Sequence, residues 1–493
     1  MHRAGRRTAS TIALLAGLAS GWAASPARAE PDARAAQADS EVVVLDRDLV
    51  RLDTSNPPGN EAQVANYMRD RLAPLGFEVD VIQTPTPGKA HLIARLRSAN
   101  PVGKPVLLSA HADTVGVEPE LWSVDPFAGA IRGDYLYGRG SFDDKGGIAV
   151  FAAAAMRLAR ERVPLTRDIV LVFEADEEGG DFGIEWLAEN HWDKLDAAYS
   201  LNEGGIMSTD EDGRVRLAAV TVRDKISLSV TLQTRGVSSH SSRPQPPSAI
   251  DRLARALGRI SRHRSKPRLS RLTRRYFRAL ARASTGRQAA DLRRLARAHG
   301  GRRIERIGRR VIRRSDFGPL LSSLMRTTFT NTIVEGGFRS NVIPGGAEAT
   351  VNMRLLPGVS GEHAVRELRR TVDDPAVEIV VGSDDESPAE VFESIRERQR
   401  VAASSTNTDL YAALAREVRA EHPGTVVTRA LYEAATDAGP WRERGIPVYG
   451  LRPYRASATD LENMHGIDER VSITGLNEGT DMVERILRAV ATG

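Results

Sequence analysis

The 493-residue chain contains no cysteine. Disulfides, thiolate metal ligands and lipid attachment through a thiol are excluded, so any metal centre must be built from His, Asp and Glu. Aromatic residues make up only 5% of the chain, and they are too sparse in its most basic stretch to form a base-stacking platform. Beyond the N-terminal segment there is no apolar run near the roughly 20 residues that a membrane span needs. Nor is there a large surplus of one charge. The formal net charge is +5, and four arginines with no acid fall within residues 1–29, which leaves +1 for the remainder. That balance gives no reason to expect a nucleic-acid partner.

What is present begins with a leader. Arg3, Arg6 and Arg7 precede a small, apolar segment at 11–24, and Ala27-Arg28-Ala29 follows. A basic start, a short apolar core and a small-x-small site predict a signal peptide over 1–29 and an exported chain, periplasmic or secreted.

Residues 30–224 alternate strands with helices. "HLIARL", "PVLLSA", "RDIVLVFEADEE" and "AAYSLNEGG" contain apolar runs suited to buried strands, and "GGIAVFAAAAMRLARE" suits a buried helix. This is the pattern of an α/β fold, a mixed sheet flanked by helices. Over 225–386 the pattern changes to strands such as "KISLSVTLQTRG", in which polar and apolar residues alternate. With helices expected near 248–262 and 361–371, this reads as a small α+β domain with an antiparallel sheet. The first pattern resumes over 387–493, so the small domain is inserted in the larger one.

Residues 252–314 hold 23 Lys and Arg against two acids, Asp291 and Glu305. Apolar residues recur there at helical spacing, which predicts a basic helical insert, 264–314, with a solvated face. Such a face allows weak contact with an anionic surface. A surface-binding protein with a secondary metal site is therefore the alternative to an enzyme.

Four loops at or near strand ends carry hard-cation ligands: "HADTV" with His111 and Asp113, "YGRGSFDDKGG" with Asp143 and Asp144, "EADEEGG" with Glu177 and Glu178, and "LNEGG" with Glu203. In an open α/β sheet such loops converge outside the carboxyl ends of the strands. Several carboxylates in one cleft require positive charge, and zinc accepts both imidazole nitrogen and carboxylate oxygen.

In this order, "HADTV", "GRGSFDDKGG", "DEEGG", "NEGG", "SSHSS", "SNVIPG" and "MHGIDERV" resemble the dinuclear zinc aminoacylase and carboxypeptidase family, over about residues 45–490. The long segment between "SSHSS" and "SNVIPG" looks most like the carboxypeptidase S branch. The resemblance implies a zinc-peptidase catalytic domain with an inserted lid and dimerisation domain, and a homodimer formed through that lid. It implies two Zn2+ ions, with Co2+ or Mn2+ as substitutes. His111, Asp143 and Glu203 would hold one ion; Asp143, Glu178 and His465 would hold the other. Glu177 would act as general base and Asp113 would orient His111. The Asp143–Asp144 peptide would be cis. His240 would polarise the scissile carbonyl, often from the partner subunit, and Asn341 and Arg354 would bind a substrate carboxylate. The expected reaction is hydrolysis, by a metal-bridging hydroxide, of an amide beside a free α-carboxylate in a small peptide or N-acyl amino acid. Two departures bear on substrate preference rather than metal chemistry: Asn352 stands where an acid is frequent, and "AATDA" replaces "GGTDA".

Overall fold

The computed structural model describes residues 37–383 and 386–492, and the expected leader lies outside them. Ten strands form the main sheet. Nine run in the order Glu78–Gln83, Ala90–Leu96, Ile169–Glu174, Val106–His111, Tyr199–Asn202, Val448–Gly450, Val215–Asp224, Ile206–Thr209 and Arg455–Ala456. Val426–Tyr432 pairs in parallel along Val215–Asp224.

The middle of the sheet is parallel, from Ile169–Glu174 to Val448–Gly450. Its two central strands, "IVLVFE" and "VLLSAH", are buried at every residue, as parallel strands covered on both faces must be. One face carries the helices Glu41–Val50, Lys145–Arg160 and Ile473–Ala491. The other is closed by Ile184–Leu195 and by Trp441. Because neighbouring strands end together, His111 pairs with Glu174 and Asn202 with Gly450, and the loops that follow emerge at one edge.

The inserted unit is a four-stranded antiparallel sheet ordered Thr328–Gly336, Gly346–Leu355, Ile226–Arg235 and Val377–Val381. Burial alternates along Ile226–Arg235, as its sequence pattern requires. Ala249–Arg262, started by a Ser248–Asp251 capping box, and Gly361–Val372 cover one face. A further helix, Pro388–Arg400, places Ile395 in this same core, with Val391 and Phe392 against it. Lid packing therefore continues past the boundary at 387 that the sequence pattern suggested.

The basic insert folds as Arg271–Ala283, Gly286–Ala296 and Gly301–Ile312, followed by the short helix Gly318–Ser323. These helices leave the lid and pack on the large sheet. Tyr276, Phe277, Leu295 and Leu321 share a core with Leu217, Ala219, Ala430 and Leu431. Asp291 is buried and paired with Arg294, Arg310 and Arg314; Glu305 is paired with Arg309 and Arg326. Arg275, Arg278, Arg282, Arg293, Arg297 and Arg302 face solvent. Among the described residues no helix is long and apolar enough to cross a membrane.

Candidate metal centre

The ends of Val106–His111, Ile169–Glu174 and Tyr199–Asn202 bring His111, Glu177, Glu178 and Glu203 into one cleft, where Asp143 and Asp144, just before helix Lys145–Arg160, and His465, just after the short helix Ala458–Asn463, meet them. Nε2 of His465 lies 2.8 Å from Oε1 of Glu178 and 3.3 Å from Oδ2 of Asp143. The other oxygen of Asp143, Oδ1, lies 3.1 Å from Nε2 of His111. Asp143 therefore faces one histidine with each oxygen, the arrangement a bridging ligand needs. Donor atoms of His111, Glu177 and Glu178 fall within 4.8 Å of one another, as do those of His111, Asp144 and Glu203. The structure thus adds Asp144 to the predicted set. Its Oδ2 is buried with no hydrogen-bond partner among the described residues. The Asp143–Asp144 peptide is cis, as the resemblance implied.

Each ligand is held by its own local device. Asp113 is fully buried. Its backbone carbonyl lies 3.0 Å from Nδ1 of His111 and its carboxylate 3.6 Å away, so Nε2 is the nitrogen left for the cleft. The same carboxylate accepts the backbone N–H of Glu177 at 3.1 Å and of Glu178 at 2.9 Å. Asp113 therefore fixes Glu177 and Glu178 as well as the imidazole. Asn56 ties Asp113 to Asp176 with hydrogen bonds of 3.0 Å each, and Lys89 pairs with Asp176. Asp176 and His465 adopt φ of 64° and 60°. Left-handed backbone at non-glycine residues is costly and concentrates at functional sites. Glu469 accepts the N–H of Phe142 and of Asp143, each at 3.0 Å, and is itself paired with Arg139. After Glu203, a Cβ at Gly205 would run into the carbonyl oxygens of Ala219 and Gly450, so only glycine lets the chain turn there.

The cleft collects positive charge. Burial opposes a charge on His111, but Asp113 and Asp143 outweigh it and raise its pKa. Burial likewise opposes a charge on His465, yet Asp143 and Glu178 lift its pKa to about 10. Arg452 is fully buried, and one guanidinium nitrogen lies 2.6 Å from both Asp143 Oδ1 and Glu203 Oε2. Burial also raises the carboxyls of Glu203, to about 7, and of Glu177, the latter with help from Asp437. Two inward-facing imidazoles among several carboxylates form the donor set of zinc and similar borderline dications, so the residues present suit such ions.

Three predicted residues lie on the lid. His240 is exposed on the short strand Ser239–His240, with Nδ1 2.8 Å from the Ser242 hydroxyl. That strand pairs with Val342–Ile343, and the N–H of Ser241 donates to the Asn341 carbonyl, which sets Asn341 beside His240. Arg354 is elsewhere. It lies near the end of Gly346–Leu355 that pairs with Ile226, whereas the His240 ribbon continues from the Gly346 end. Eight residues of strand between Gly346 and Arg354 span ~26 Å at about 3.3 Å per residue. The structure thus groups Asn341 with His240 and separates both from Arg354.

Sequence spacing missed Arg452, Asn56 and Lys89, none of which lies in a ligand motif. Glu469 could have been found, because it sits inside "MHGIDERV".

Residues 107–489 match the sequence pattern of Peptidase family M20/M25/M40. The chain belongs to this family. It is 29% identical over 395 residues to a probable carboxypeptidase S-like 2 of Dictyostelium discoideum, covering 78% of this chain and 71% of that protein. It is 26% identical over 389 residues to the human N-fatty-acyl-amino acid synthase/hydrolase PM20D1, covering 78% and 73%. In fold it is similar to an M20 family metallo-carboxypeptidase from Sulfolobus solfataricus, with a TM-score of 0.65, 18% identity, and coverage of 91% and 99%. As an M20 protein the chain is a metal-dependent peptidase or amidohydrolase, and its mixed α/β sheet flanked by helices is the fold of that structure.

Proposed function

We propose that this M20 protein hydrolyses the amide next to a free α-carboxylate in a small peptide or N-acyl amino acid, with two zinc ions in the cleft. His111, Asp143 and Glu203 would hold one ion, with Asp144 as a further candidate, and Asp143, Glu178 and His465 the other. The observation that carries the reading is the placement of Glu177 among these ligands. Bound zinc would lower the pKa of water and polarise the substrate carbonyl. Glu177 then takes the proton of the attacking water at its carboxylate and delivers it to the leaving nitrogen. Desolvation and the nearby Asp437 raise the pKa of that carboxyl, which makes it a better proton acceptor than an ordinary carboxylate.

Two of the relatives are named for carboxypeptidase S-like character and for N-fatty-acyl-amino acid hydrolysis. Both descriptions are consistent with an amide beside a carboxylate. Arg354 would grip that carboxylate, since its planar fork can meet both oxygens. His240 and Asn341 would serve the cleft of a second copy. The lid offers a face for such a pair. Thr328–Gly336 is an edge strand, and Ile333, Val334, Phe338 and Val237 are 54%, 61%, 73% and 66% exposed. Export of the mature chain and contact of the arginine face with an anionic surface complete the proposal.

The test is turnover of dipeptides and N-acyl amino acids by zinc-loaded protein beside Glu177→Gln. We expect the variant to keep its metal content and to lose about 100-fold or more in kcat. A variant with undiminished turnover would remove Glu177 from the reaction.

A further inference from the structure

Away from the metal cleft, a pocket of about 390 Å³ opens where the insert meets the lid. Three pieces of chain wall it. Ser261 to Ser265 leave the C-terminal end of Ala249–Arg262, Ser322 and Arg326 close the insert, and Thr328 and Thr330 begin the lid's edge strand. A volume of this size suits a small molecule.

The wall is one-sided in its chemistry. Six of the lining residues are Ser or Thr, two are arginines and none is acidic. One amino group of Arg264 donates to the carbonyls of Ser261 and His263, at 2.9 and 2.7 Å. Arg264 has no carboxylate partner among the described residues, so the rest of its guanidinium is left for a ligand. Arg326 is buried and reaches from the Ser265 carbonyl at 3.1 Å to Glu305 at 3.0 Å. Glu305 divides its charge between Arg326 and Arg309. Arg326 Nε and the Ser265 hydroxyl are buried without a hydrogen-bond partner among the described residues. His263 directs both ring nitrogens to other groups, Glu367 at 2.9 Å and Thr371 at 3.3 Å. The pocket thus offers donors and positive charge in excess, at the base of a segment with 23 basic residues against two acids. Two guanidiniums on one wall repel each other unless negative charge lies between them. Their planar forks match the paired oxygens of phosphate or sulfate, and hydroxyls can donate to the remaining oxygens.

We propose that this pocket binds a phosphate-type oxyanion, as the free ion or as the charged end of a small soluble molecule. The inference does not depend on the hydrolase reading. Ser322 lies beside Leu321 and Leu324, which pack in the core shared with the large sheet, whereas Thr330 belongs to the lid. A bound anion would therefore tie the lid to the body.

The test is calorimetric titration of the zinc-loaded protein with sodium sulfate and with glycerol 3-phosphate, at an ionic strength held constant with sodium chloride. We expect one site per chain with a Kd at or below about 1 mM for at least one of the two, and a melting temperature that rises with its concentration. Glycerol 3-phosphate binding at least tenfold tighter than sulfate identifies the carried form, and equal affinities identify the free ion. Arg264→Met and Thr330→Val remove a fork and a hydroxyl from different walls, and a melting curve and the zinc content check that each is intact. The first should weaken binding at least tenfold and the second at least threefold. Arg293→Met removes the same charge from the solvent face of the insert and should leave the affinity within twofold. No binding above the chloride background overturns the proposal. So does binding that folded Arg264→Met leaves within twofold, which assigns it to the metal cleft or the surface. A loss in Arg293→Met equal to that in Arg264→Met reduces the effect to the general field of the insert and overturns the pocket as well. If Arg264→Met does not fold, Thr330→Val decides by the same comparison.

Discussion

Asp113→Asn isolates the device that holds Glu177 and Glu178 in place. The buried carboxylate accepts three hydrogen bonds, from the backbone of Glu177 at 3.1 Å, the backbone of Glu178 at 2.9 Å and the amide of Asn56 at 3.0 Å. Burial would raise its pKa, but His111, Asn56 and the Glu178 N–H together hold it below the ordinary value, so it is ionised. Asparagine has the same shape but only one acceptor oxygen. Whichever way the amide turns, an NH2 group meets a backbone N–H, and one charge-assisted bond worth about 1.5–3 kcal/mol is lost. That loss corresponds to a factor of about 10–100 in an equilibrium constant, the same range found when outer partners of metal ligands are removed. The strain falls on the turn that delivers Glu178 to Asp143 and His465, so zinc affinity should drop by about that factor. A competition titration against a chromophoric chelator measures it, with Glu177→Gln as the control that keeps its metals. If Asp113→Asn binds both ions within twofold of wild type, Asp113 does not position this turn.

Three further outcomes follow from named contacts. Arg452→Met leaves the buried carboxylates of Asp143 and Glu203 without their shared cation. The metal-free variant should lose about 3–5 kcal/mol, and zinc should raise its melting temperature by more than it raises that of wild type. Lys225 is buried, donates to the Arg326 carbonyl at 2.8 Å and to Ser323 at 3.1 Å, and burial lowers its pKa to about 7. The unfolded chain keeps that proton to about pH 10.4, so the native state gains stability as pH rises from 7 toward 10. Relative to Lys225→Met, wild type should gain at most ~1.4 kcal/mol per pH unit there in chemical unfolding, and no gain would remove the group from the balance. Finally, mixed His240→Ala and Glu177→Gln chains should recover about a quarter of wild-type turnover, because random pairing makes half the dimers hybrid, each with one intact cleft. Inactivity of the mixture would mean that His240 serves its own chain.

The fold was legible where burial dictates composition. Strands covered on both faces must be apolar throughout, and the lid strand Ile226–Arg235, with one face packed, must alternate. Amphipathic helices announce that one side is buried without saying what buries it. The spacing of Tyr276, Phe277, Leu292 and Leu295 marks such a side, but the partners Leu217 and Ala430 lie far off in the chain. Pro388–Arg400 was harder still. It buries one residue fully, Ile395, with Val391 and Phe392 only partly buried, too few to show that it packs with the lid.

Most of the candidate metal ligands were legible for a topological reason. A parallel sheet ends its strands at one edge, so His111, Glu177, Glu178 and Glu203 sit within a few residues of recognisable strands although their loops are distant in sequence, whereas Asp143 and His465 follow an antiparallel ribbon and a short helix. Charge compensation has no such signature. Arg452 meets Asp143 across 309 residues and Glu203 across 249, so no spacing in the chain pairs it with them. What the sequence did contain was the demand. A cleft lined by Asp143, Asp144, Glu177, Glu178 and Glu203 needs more positive charge than His111 and His465 supply, since burying unpaired carboxylates is costly. A search of the remaining basic residues for one in an apolar strand context leads to "VYGLRPY". There an arginine interrupts a run whose neighbours, Leu451 and Tyr454, are buried. A lone charge in an apolar run is a counter-ion looking for its acid.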